Sequence, residues 1–239
     1  SENSNYRIVI PIENSLAGRV ADIHYLIPKY KLQIHAEHFQ KVNHNLLAVK
    51  GAKIKDIKTV RSHAQAIGQC SKLIAQNKLK PIISADTAGS AKFISEKKDK
   101  SESAIASKLA AEIYNLDILK SNIEDETENI TRFLIMGKKS LHPEIKKEKY
   151  ITSCIFKLKS IPAALYKALG GFATNGVNLC KLESFSVKNT FDQVNFYIDI
   201  EGHIEEQSLQ KALEELGFHT EKLDVLGVYK AHEFRFKNK

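Results

Sequence analysis

The stretch NITRFLIMGKKS (residues 129–140) marks the point at which the pattern of the sequence changes. Thr131 and Arg132 come directly before a short apolar run (133–136) that is typical of a buried strand. The lysine-rich segment 138–149 follows and has no long apolar run, so we predict a linker there. A buried strand needs no cation at its start, and we therefore expect the hydroxyl and the guanidinium to face an anion.

Before the linker, strand and helix signals alternate along the chain. Short runs of large apolar residues predict strands, and apolar residues spaced along one helical face predict helices. The predicted elements are strands at 6–12, 31–39, 81–85 and 131–137, and helices at 62–77, 86–100 and 103–115. This alternation indicates an α/β domain with a largely parallel sheet.

Beyond the linker, the order of signals is strand, helix, strand, strand, helix, strand, which is the ferredoxin-like arrangement. The elements are a strand at 150–159, a helix at 162–176, a hairpin around Lys188–Thr190, a helix at 205–217 that ends at Gly217, and a strand at 220–229. We therefore divide the chain into an α/β part at 1–137, the linker at 138–149, a βαββαβ domain at 150–229 and a tail at 230–239.

The composition is that of a globular protein, with 43% hydrophobic and 27% charged residues. No apolar run approaches the roughly 20 residues that span a bilayer, and no signal-peptide pattern opens the chain, so we expect no membrane association. Three separated cysteines fit a reducing compartment and predict a cytoplasmic protein. The net charge of +8 suits nucleic acid or a small acidic substrate. Because much of the excess lies in the linker and the tail, we expect no nucleic-acid partner.

Small polar side chains stand where predicted strands end and helices begin. They are Asn14 and Ser15, Ser62 with Gln65 and Gln69, and Thr87. Helix capping explains each junction alone, with Ser62 the predicted N-cap of its helix. Together they predict a donor-rich cleft at the carboxyl ends of the strands. His35 and His38 lie three apart in a predicted strand, where they face opposite sides, so they predict no metal site.

Several linked motifs carry a family resemblance. VIPIENSLAGRV, VRSHAQAIGQC, DTAGSA, AIAS and IEDETENITRF occur in the order and spacing seen in prephenate dehydratases, and residues 1–137 resemble their catalytic domain. NLCKLES, FYIDIEGH and VLGVY resemble the ACT regulatory domain that follows it. The resemblance implies a periplasmic-binding-like catalytic part of two subdomains, incomplete at its N-terminus, followed by a ferredoxin-like ACT domain.

The resemblance implies a lyase of phenylalanine biosynthesis that converts prephenate to phenylpyruvate, with loss of water and carbon dioxide. It implies no metal and no organic cofactor, since aromatisation of the substrate ring supplies the driving force. Two alternatives stay open: arogenate dehydratase, which acts on the aminated analogue, and a non-catalytic amino-acid-binding ACT protein.

The resemblance also assigns roles. Thr131 is the catalytic hydroxyl, and Arg132 shapes or charges the site, with pairing to Glu124 or Asp125 left open as its alternative. The other residues assigned to catalysis are Phe133, Glu13 and Asn14. The residues assigned to substrate binding are Ser15, Ser62, His63, Gln65, Gln69, Thr87 and Ala88, and His63 is the alternative proton source.

Two departures from the family pattern give further expectations. Ahead of the PIENS strand, family members carry a strand, a G-P-x-G-T-F-S segment and a helix that this sequence does not contain. We expect either a fragment of a longer product or a chain without catalytic competence.

The second departure concerns the family's phenylalanine pocket. Ala163-Ala164-Leu165 replaces its G-A-L motif, Glu183-Ser184-Phe185-Ser186 replaces E-S-R-P, and Asn178-Leu179 retains an N-L pair. A methyl group at position 163 hinders close approach of a ligand to the backbone. We predict weakened allosteric inhibition by L-phenylalanine, with a dimerising role for the domain and hence a homodimer or homotetramer.

Overall fold

The computed structural model describes residues 6–20, 23–186 and 194–236. They fold as two compact units. Unit 1 contains the described residues up to Gln40 and from Thr131 onward, and unit 2 contains Lys41–Ile130. None of the helices in these ranges is long and apolar enough to cross a membrane.

The helices and strands follow one another along the chain as β1 (Ile8–Asn14), β2 (Gly18–Arg19), α1 (Ile23–Lys29), β3 (Gln33–Lys41), β4 (Asn45–Ala48), β5 (Thr59–His63), α2 (Ala64–Gln69), α3 (Ser71–Gln76), β6 (Lys80–Ser84), α4 (Thr87–Lys97), β7 (Glu102–Ala106), α5 (Lys108–Ile113), β8 (Asp117–Lys120), β9 (Ile130–Gly137), β10 (Tyr150–Leu158), α6 (Ala164–Thr174), β11 (Leu179–Ser186), β12 (Val194–Glu201), α7 (Gln207–His219) and β13 (Thr220–Lys230). Short 3₁₀ helices span Ile54–Asp56 and Glu233–Phe236.

Unit 1 contains two four-stranded sheets. The first has the strand order β2-β1-β9-β3, and the second has the order β11-β12-β10-β13. In the second sheet β10 pairs antiparallel with β12 and β13, and β11 pairs antiparallel with β12. With α6 and α7 packed on one face through a common apolar core, this is the ferredoxin-like fold expected after the linker. The hairpin predicted around Lys188–Thr190 lies outside the described residues.

A shared core joins the two sheets of unit 1. Ile12 and Leu134 of the first sheet are buried in the same apolar cluster as Tyr197 and Leu226 of the second. Gly227 allows β13 to approach β3 closely, because a Cβ at this position would overlap the carbonyl oxygen of Ile34. The first sheet therefore rests directly on the ferredoxin-like sheet.

Unit 2 contains a five-stranded sheet with the order β6-β5-β7-β4-β8. β5 pairs in parallel with β6 and β7, whereas β4 pairs antiparallel with β7 and β8. The expectation of a largely parallel sheet was therefore wrong, and the sheet is mixed.

Three predicted helices differ from those in the structure. The helix predicted at 62–77 begins only at Ala64, after the end of β5, and is divided at Cys70 into α2 and α3. The segment 103–115 holds β7 and α5, because its first residues form the central strand and are buried on both faces, which removes the alternating pattern of a strand. Gly217 does not end α7, which continues to His219. A glycine is a weak stop signal because it also adopts right-handed helical angles.

Candidate active site

Strand geometry separates the candidate catalytic residues into two groups. On β9 the side chain of Arg132 is buried, whereas Thr131 and Phe133 on either side of it are partly exposed. β1 pairs with β9 so that Asn14 lies opposite Thr131 and Glu13 lies opposite Arg132. Successive side chains of a strand point to opposite faces. Asn14, Thr131 and Phe133 therefore share one face of the sheet, and Glu13 and Arg132 share the other.

A hydrogen bond links the polar residues of the first group, since Asn14 Nδ2 donates to Thr131 Oγ1 at 3.0 Å. Asn14 Oδ1 accepts from the backbone N–H groups of Leu16 (3.0 Å) and Ala17 (2.9 Å). These bonds make an Asx-type turn that leads into β2, so the helix expected after Asn14 and Ser15 was wrong. The Thr131 hydroxyl accepts from the amide, and its own proton has no acceptor among the described residues of unit 1.

Arg132 lies in a cluster of carboxylates. Its Nε donates to Glu37 at 2.8 Å, and its Nη1 donates to Asp199 at 2.6 Å and to Glu13 at 2.9 Å. Its Nη2 donates to the hydroxyl of Tyr229 at 3.0 Å. The alternative pairing with Glu124 or Asp125 was therefore wrong. The anion expected to face the guanidinium is supplied by the protein itself, and this arrangement favours a shaping role for Arg132.

Two further cations balance the charge. Arg235, in the 3₁₀ helix at the end of the described chain, donates to Glu37 at 2.7 and 2.8 Å. Lys181 of β11 donates to the second oxygen of Glu13 at 2.5 Å. We call the following set the Arg132 cluster: Arg132, Arg235, Lys181, Glu13, Glu37 and Asp199. It contains three cations and three carboxylates, contributed by both sheets of unit 1 and by the 3₁₀ helix that carries Arg235.

The environment keeps the carboxylates of Asp199 and Glu13 ionised. Burial raises the pKa of Asp199, but Arg132 and the hydroxyls of Ser153 and Tyr197 hold this pKa below its ordinary value. Burial raises the pKa of Glu13 as well, and hydrogen bonds from Lys181 and Arg132 bring it below the ordinary value. Burial lowers the pKa of Arg132, but the neighbouring anions, Asp199 above all, raise it well above the usual range.

Sequence analysis did not identify Glu37, Asp199, Lys181 or Arg235. A usable signal was present for two of them. Asp199 is a lone carboxylate inside the apolar strand FYIDI, and Glu37 stands inside the strand KLQIHAEHF. A charge within a buried strand must find a partner, but the sequence does not say which one.

The candidates in unit 2 gather at one edge of its sheet. β5 and β6 are parallel, with His63 opposite Ser84, so the strand ends that precede α2 and α4 are neighbours. His63 is the N-cap of α2, and its Nδ1 accepts from the N–H of Gln65 at 3.3 Å. Thr87 and Ala88 are the first residues of α4, which Asp86 caps. The exposed side chains at this edge include His63 and Gln65.

Two unit 2 candidates have partners within the protein. Ser62 is a buried residue of β5 whose hydroxyl donates to the carbonyl of Ile105 at 2.7 Å, so its prediction as a helix N-cap was wrong. Gln69 Oε1 accepts from Asn129 Nδ2 at 2.9 Å and lies 2.8 Å from a ring nitrogen of His44. His44 and Asn129, which sequence analysis did not identify, are thus polar neighbours of the candidate residue Gln69.

His24 of α1 is a buried histidine that lies near the Arg132 cluster. Its side chain is 1% exposed, its ring contacts Tyr197 and Phe185, and neither ring nitrogen has a hydrogen-bond partner among the described residues. Burial, with the charges of Lys181 and Arg19, lowers the pKa of His24 to about 4. The ring is therefore neutral in the folded protein across the physiological pH range.

Replacing His24 with Phe is expected to change how stability depends on pH. Above pH 6.5 the ring is neutral in both states, and between pH 6.5 and 4 only the unfolded chain takes up a proton. The wild type thus loses about 3 kcal/mol of stability over this range that His24→Phe does not lose. Urea unfolding at pH 7, 5.5 and 4 measures this difference. His142→Phe, at an exposed position, is the control, and parallel pH profiles for wild type and His24→Phe would contradict the prediction.

The predicted regulatory residues occupy two places in the ferredoxin-like domain. Ala164 and Leu165 begin α6 directly after Ala163, and Ala164 lines a cavity of about 470 Å³ beside β10 and β12. The other four residues are Asn178, whose carbonyl accepts from Glu201 N–H at 2.9 Å, and Leu179, Glu183 and Ser184 of β11. Arg19 donates to the carbonyl of Ser184 at 2.9 Å, which links β11 to the β1–β2 hairpin.

Ala163 adopts a left-handed backbone conformation, with φ 57°. This conformation is strained for alanine but not for glycine, so Ala163→Gly relieves strain in the folded state. Glycine also has more conformational entropy in the unfolded state, which opposes this gain. The net result is expected to be a rise in the free energy of unfolding of about 0.5–1 kcal/mol. Thermal unfolding measures the change. Ala173→Gly, at an exposed helical position of α6, is the matched control and should be destabilising by up to about 1 kcal/mol. A loss of stability in both variants would contradict the prediction.

Known proteins resemble this chain in sequence and in fold. The model of the prephenate dehydratase family matches residues 1–141. The chain is 43% identical over 229 residues to a bifunctional N-acyl-homoserine lactone acylase/prephenate dehydratase of Komagataeibacter europaeus, covering 96% of this chain and 82% of that protein. It is 37% identical over 237 residues to arogenate dehydratase 2 of Petunia hybrida, covering 93% of this chain and 60% of the relative.

A solved structure gives the same result. The prephenate dehydratase of Arthrobacter aurescens in complex with L-Phe is 29% identical, with a TM-score of 0.85, and the match covers 94% of this chain and 75% of that one. The shared fold is a two-subdomain catalytic part followed by an ACT domain. The chain therefore belongs to the prephenate dehydratase family.

Proposed function

We propose that this chain converts prephenate to phenylpyruvate with loss of water and carbon dioxide. The observation that carries the proposal is the hydrogen bond from Asn14 Nδ2 to Thr131 Oγ1, which orients a hydroxyl on the partly exposed face of β9. Arogenate, the aminated analogue, is the alternative substrate. The 37% sequence identity to an arogenate dehydratase supports this alternative substrate.

The reaction requires no covalent bond between the protein and the substrate. The bond from the ring to its hydroxyl breaks as the oxygen takes a proton and leaves as water. The bond from the ring to its carboxylate breaks as carbon dioxide leaves, and its electron pair completes the aromatic ring. A hydrogen-bond donor at the departing oxygen and correct positioning of the substrate are therefore the main requirements.

In this proposal Thr131 is the donor. Because its oxygen accepts a hydrogen bond from Asn14, the hydroxyl proton is directed away from Asn14 and towards a substrate. Phe133 lies two residues after Thr131 on the same face of β9, where its side chain offers an apolar surface to the substrate ring. Glu13 and Arg132 lie on the opposite face, where they support this arrangement. His63 is the alternative proton source.

For unit 2 we propose substrate binding. Its candidates are His63 and Gln65 at the start of α2 and Thr87 and Ala88 at the start of α4. Ser62, which is buried, and Gln69 are further candidates, and their side chains also bond within the protein. Carboxylates of the substrate suit the N–H and amide donors of these residues. Ser15, in the turn after β1, is the remaining candidate for binding.

A direct assay tests the proposed function. The chain is mixed with prephenate at neutral pH, and phenylpyruvate is followed by its absorbance in alkali, with arogenate and production of phenylalanine measured in parallel. Turnover of prephenate above the uncatalysed rate is the expected result. A folded chain that turns over neither substrate, but binds phenylalanine, would replace the proposal with a non-catalytic amino-acid-binding role.

We also propose weakened allosteric inhibition by L-phenylalanine and assembly into a homodimer or homotetramer through the ACT domain. Support for weakened inhibition comes from Ala163, whose methyl group occupies the position of a family glycine. Support for assembly comes from β11, which lies at an edge of its sheet, where another strand can pair. Calorimetric titration with L-phenylalanine tests the first idea, and light scattering during gel filtration tests the second.

For location we propose the cytoplasm. The thiols of Cys70, Cys154 and Cys180 are all free, which is usual in a reducing compartment. Fractionation of cells that produce the protein at natural levels tests this assignment.

A further inference from the structure

Lys181 connects the ferredoxin-like sheet to the strand that carries Asn14. Its Nζ donates to Glu13 Oε2 at 2.5 Å, and the lysine side chain is 13% exposed. The two residues are 168 positions apart in sequence, so the contact exists only because the two sheets of unit 1 pack together. The Glu13 side chain is 31% exposed, so the ion pair is partly shielded from solvent and is screened less than a fully exposed salt bridge.

Glu13 is held from two sides. One carboxylate oxygen accepts from Lys181, and the other accepts from Arg132 at 2.9 Å. With both oxygens bound to cations on different strands, the side chain of Glu13 has a fixed position relative to β9 and β11. The neighbouring residue, Asn14, is the last residue of β1, and the register of β1 shifts between Pro11 and Glu13. Such an irregularity disrupts the ladder locally, so the side-chain bonds of Glu13 add to the backbone pairing with β2 and β9 that holds this strand end.

The anchored residue and the candidate catalytic pair are consecutive positions of the same ladder. Glu13 lies opposite Arg132, and Asn14 lies opposite Thr131. A displacement of Glu13 would therefore move Asn14, and with it the amide that donates to Thr131. Lys181 touches neither the pair nor the face on which the pair lies.

We propose that Lys181 is a positioning residue, which acts through Glu13 to hold the hydrogen bond between Asn14 and Thr131. The assignment rests on the proposed function, because it gives the pair a role in turnover. Because Lys181 belongs to the ACT domain, this domain would then help to hold the candidate active site in position.

Strand β11, which carries Lys181, also carries a predicted regulatory residue. Glu183, one of the predicted regulatory residues, has its carboxylate 3.6 Å from Lys181 Nζ and 3.6 Å from Arg19 Nη1. A ligand that shifts β11 or engages Glu183 would alter the contact between Lys181 and Glu13. The effect would reach Thr131 through Asn14.

The test compares two lysines of the ferredoxin-like domain. Lys181→Met removes the contact with Glu13. Lys222→Met is the matched control, because Lys222 forms a 2.6 Å ion pair with Asp224 on β13, away from the Arg132 cluster. Two readouts are taken: steady-state turnover, and the NMR signal of the Thr131 methyl group in selectively labelled protein.

In Lys181→Met the kcat is expected to fall on the order of 10-fold with little change in KM. A 1 Å displacement of a catalytic group can cost about 10²-fold, and the pairing of β1 with β2 and β9 keeps the displacement smaller than that. The Thr131 methyl signal is expected to shift and broaden. Lys222→Met should match the wild type in both readouts, and Lys181→Arg should recover most of the kcat. If Lys181→Met fails to fold, Lys181→Gln takes its place in the same comparison.

An unchanged kcat or an unchanged Thr131 methyl signal in the Lys181 variant would overturn the inference. A wild-type chain that turns over neither prephenate nor arogenate would instead overturn the proposed function. In that case the methyl signal alone would decide whether Lys181 holds the pair.

Discussion

Thr131→Ala is expected to lower kcat by about 10²–10⁴-fold, the usual effect of removing a proton donor from a transition state. The fold should survive, because Thr131 is partly exposed and its hydroxyl accepts one hydrogen bond among the described residues, from Asn14 at 3.0 Å. A bond of this kind contributes only about 1 kcal/mol to stability. Steady-state turnover of prephenate measures the first effect, and urea unfolding measures the second.

Three further variants make the Thr131 result specific. Thr131→Ser keeps the hydroxyl and should retain most of the activity. Thr174→Ala removes an exposed threonine of α6 and should have no effect on turnover. Asn14→Asp keeps the oxygen that accepts from Leu16 and Ala17 but lacks the amide that donates to Thr131, so its kcat should fall while the turn persists. Thr131→Ala with most of its activity retained would move the role of donor to another group, with His63 the first candidate.

Arg132→Met is expected to be the most destabilising single change in unit 1. It would leave Glu13, Glu37 and Asp199 without the cation that bonds to all three. Removing one partner of a buried ion pair costs about 3–5 kcal/mol, and here three carboxylates lose the same partner. Arg235 and Lys181 offset part of this loss. Urea unfolding at neutral pH, together with the yield of folded protein, measures the effect.

The pH dependence provides an internal check on this prediction. In the wild type, the pKa values of Asp199 and Glu13 lie below their ordinary values, so the stability that these ionised carboxylates contribute is lost mainly at pH values below their ordinary pKa values. The change between pH 7 and 4 is therefore expected in the variant. Without Arg132 the buried carboxylates favour their protonated forms. The stability gap between wild type and Arg132→Met should therefore narrow as the pH is lowered from 7 to 4.

Arg19→Met is the matched control for Arg132→Met. Arg19 lies 3.6 Å from Glu183 with 40% of its side chain exposed. Exposed ion pairs of this kind contribute about 1 kcal/mol or less. Equal losses of stability in the two arginine variants would show that burial of Arg132 has no special effect.

Local patterns predicted most of the secondary structure because they depend on neighbours in sequence. The apolar run after Arg132 is a strand, and the βαββαβ order beyond the linker is the observed fold of the second sheet. Two of the errors have separate causes. The central strand β7 was predicted as a helix because burial on both faces removes the alternation of apolar and polar residues. The turn after β1 was predicted as a helix because the Asn14 side chain accepts bonds from the backbone N–H groups two and three residues later, as it would at a helix N-cap.

Motifs in the sequence proposed candidate residues for the site but could not give their geometry. Thr131 and Asn14 were chosen from motifs, and the register of β1 and β9 then placed them opposite each other. Arg132 was chosen from the same motif, but its guanidinium points to the opposite face of the sheet, towards Asp199. Adjacent residues of a strand always diverge in this way, so the motif alone could not assign them a common role.

By itself, the sequence determined the fold class, the strand that carries Thr131 and Arg132, and the family to which the chain belongs. These follow from local periodicity and from motifs, which are properties of short segments. Only the tertiary structure decided which carboxylates hold Arg132 and that Lys181 reaches Glu13. Glu37, Asp199 and Lys181 lie on three different strands, and a buried charge takes its partners from whichever strands the packing of the two sheets brings within reach.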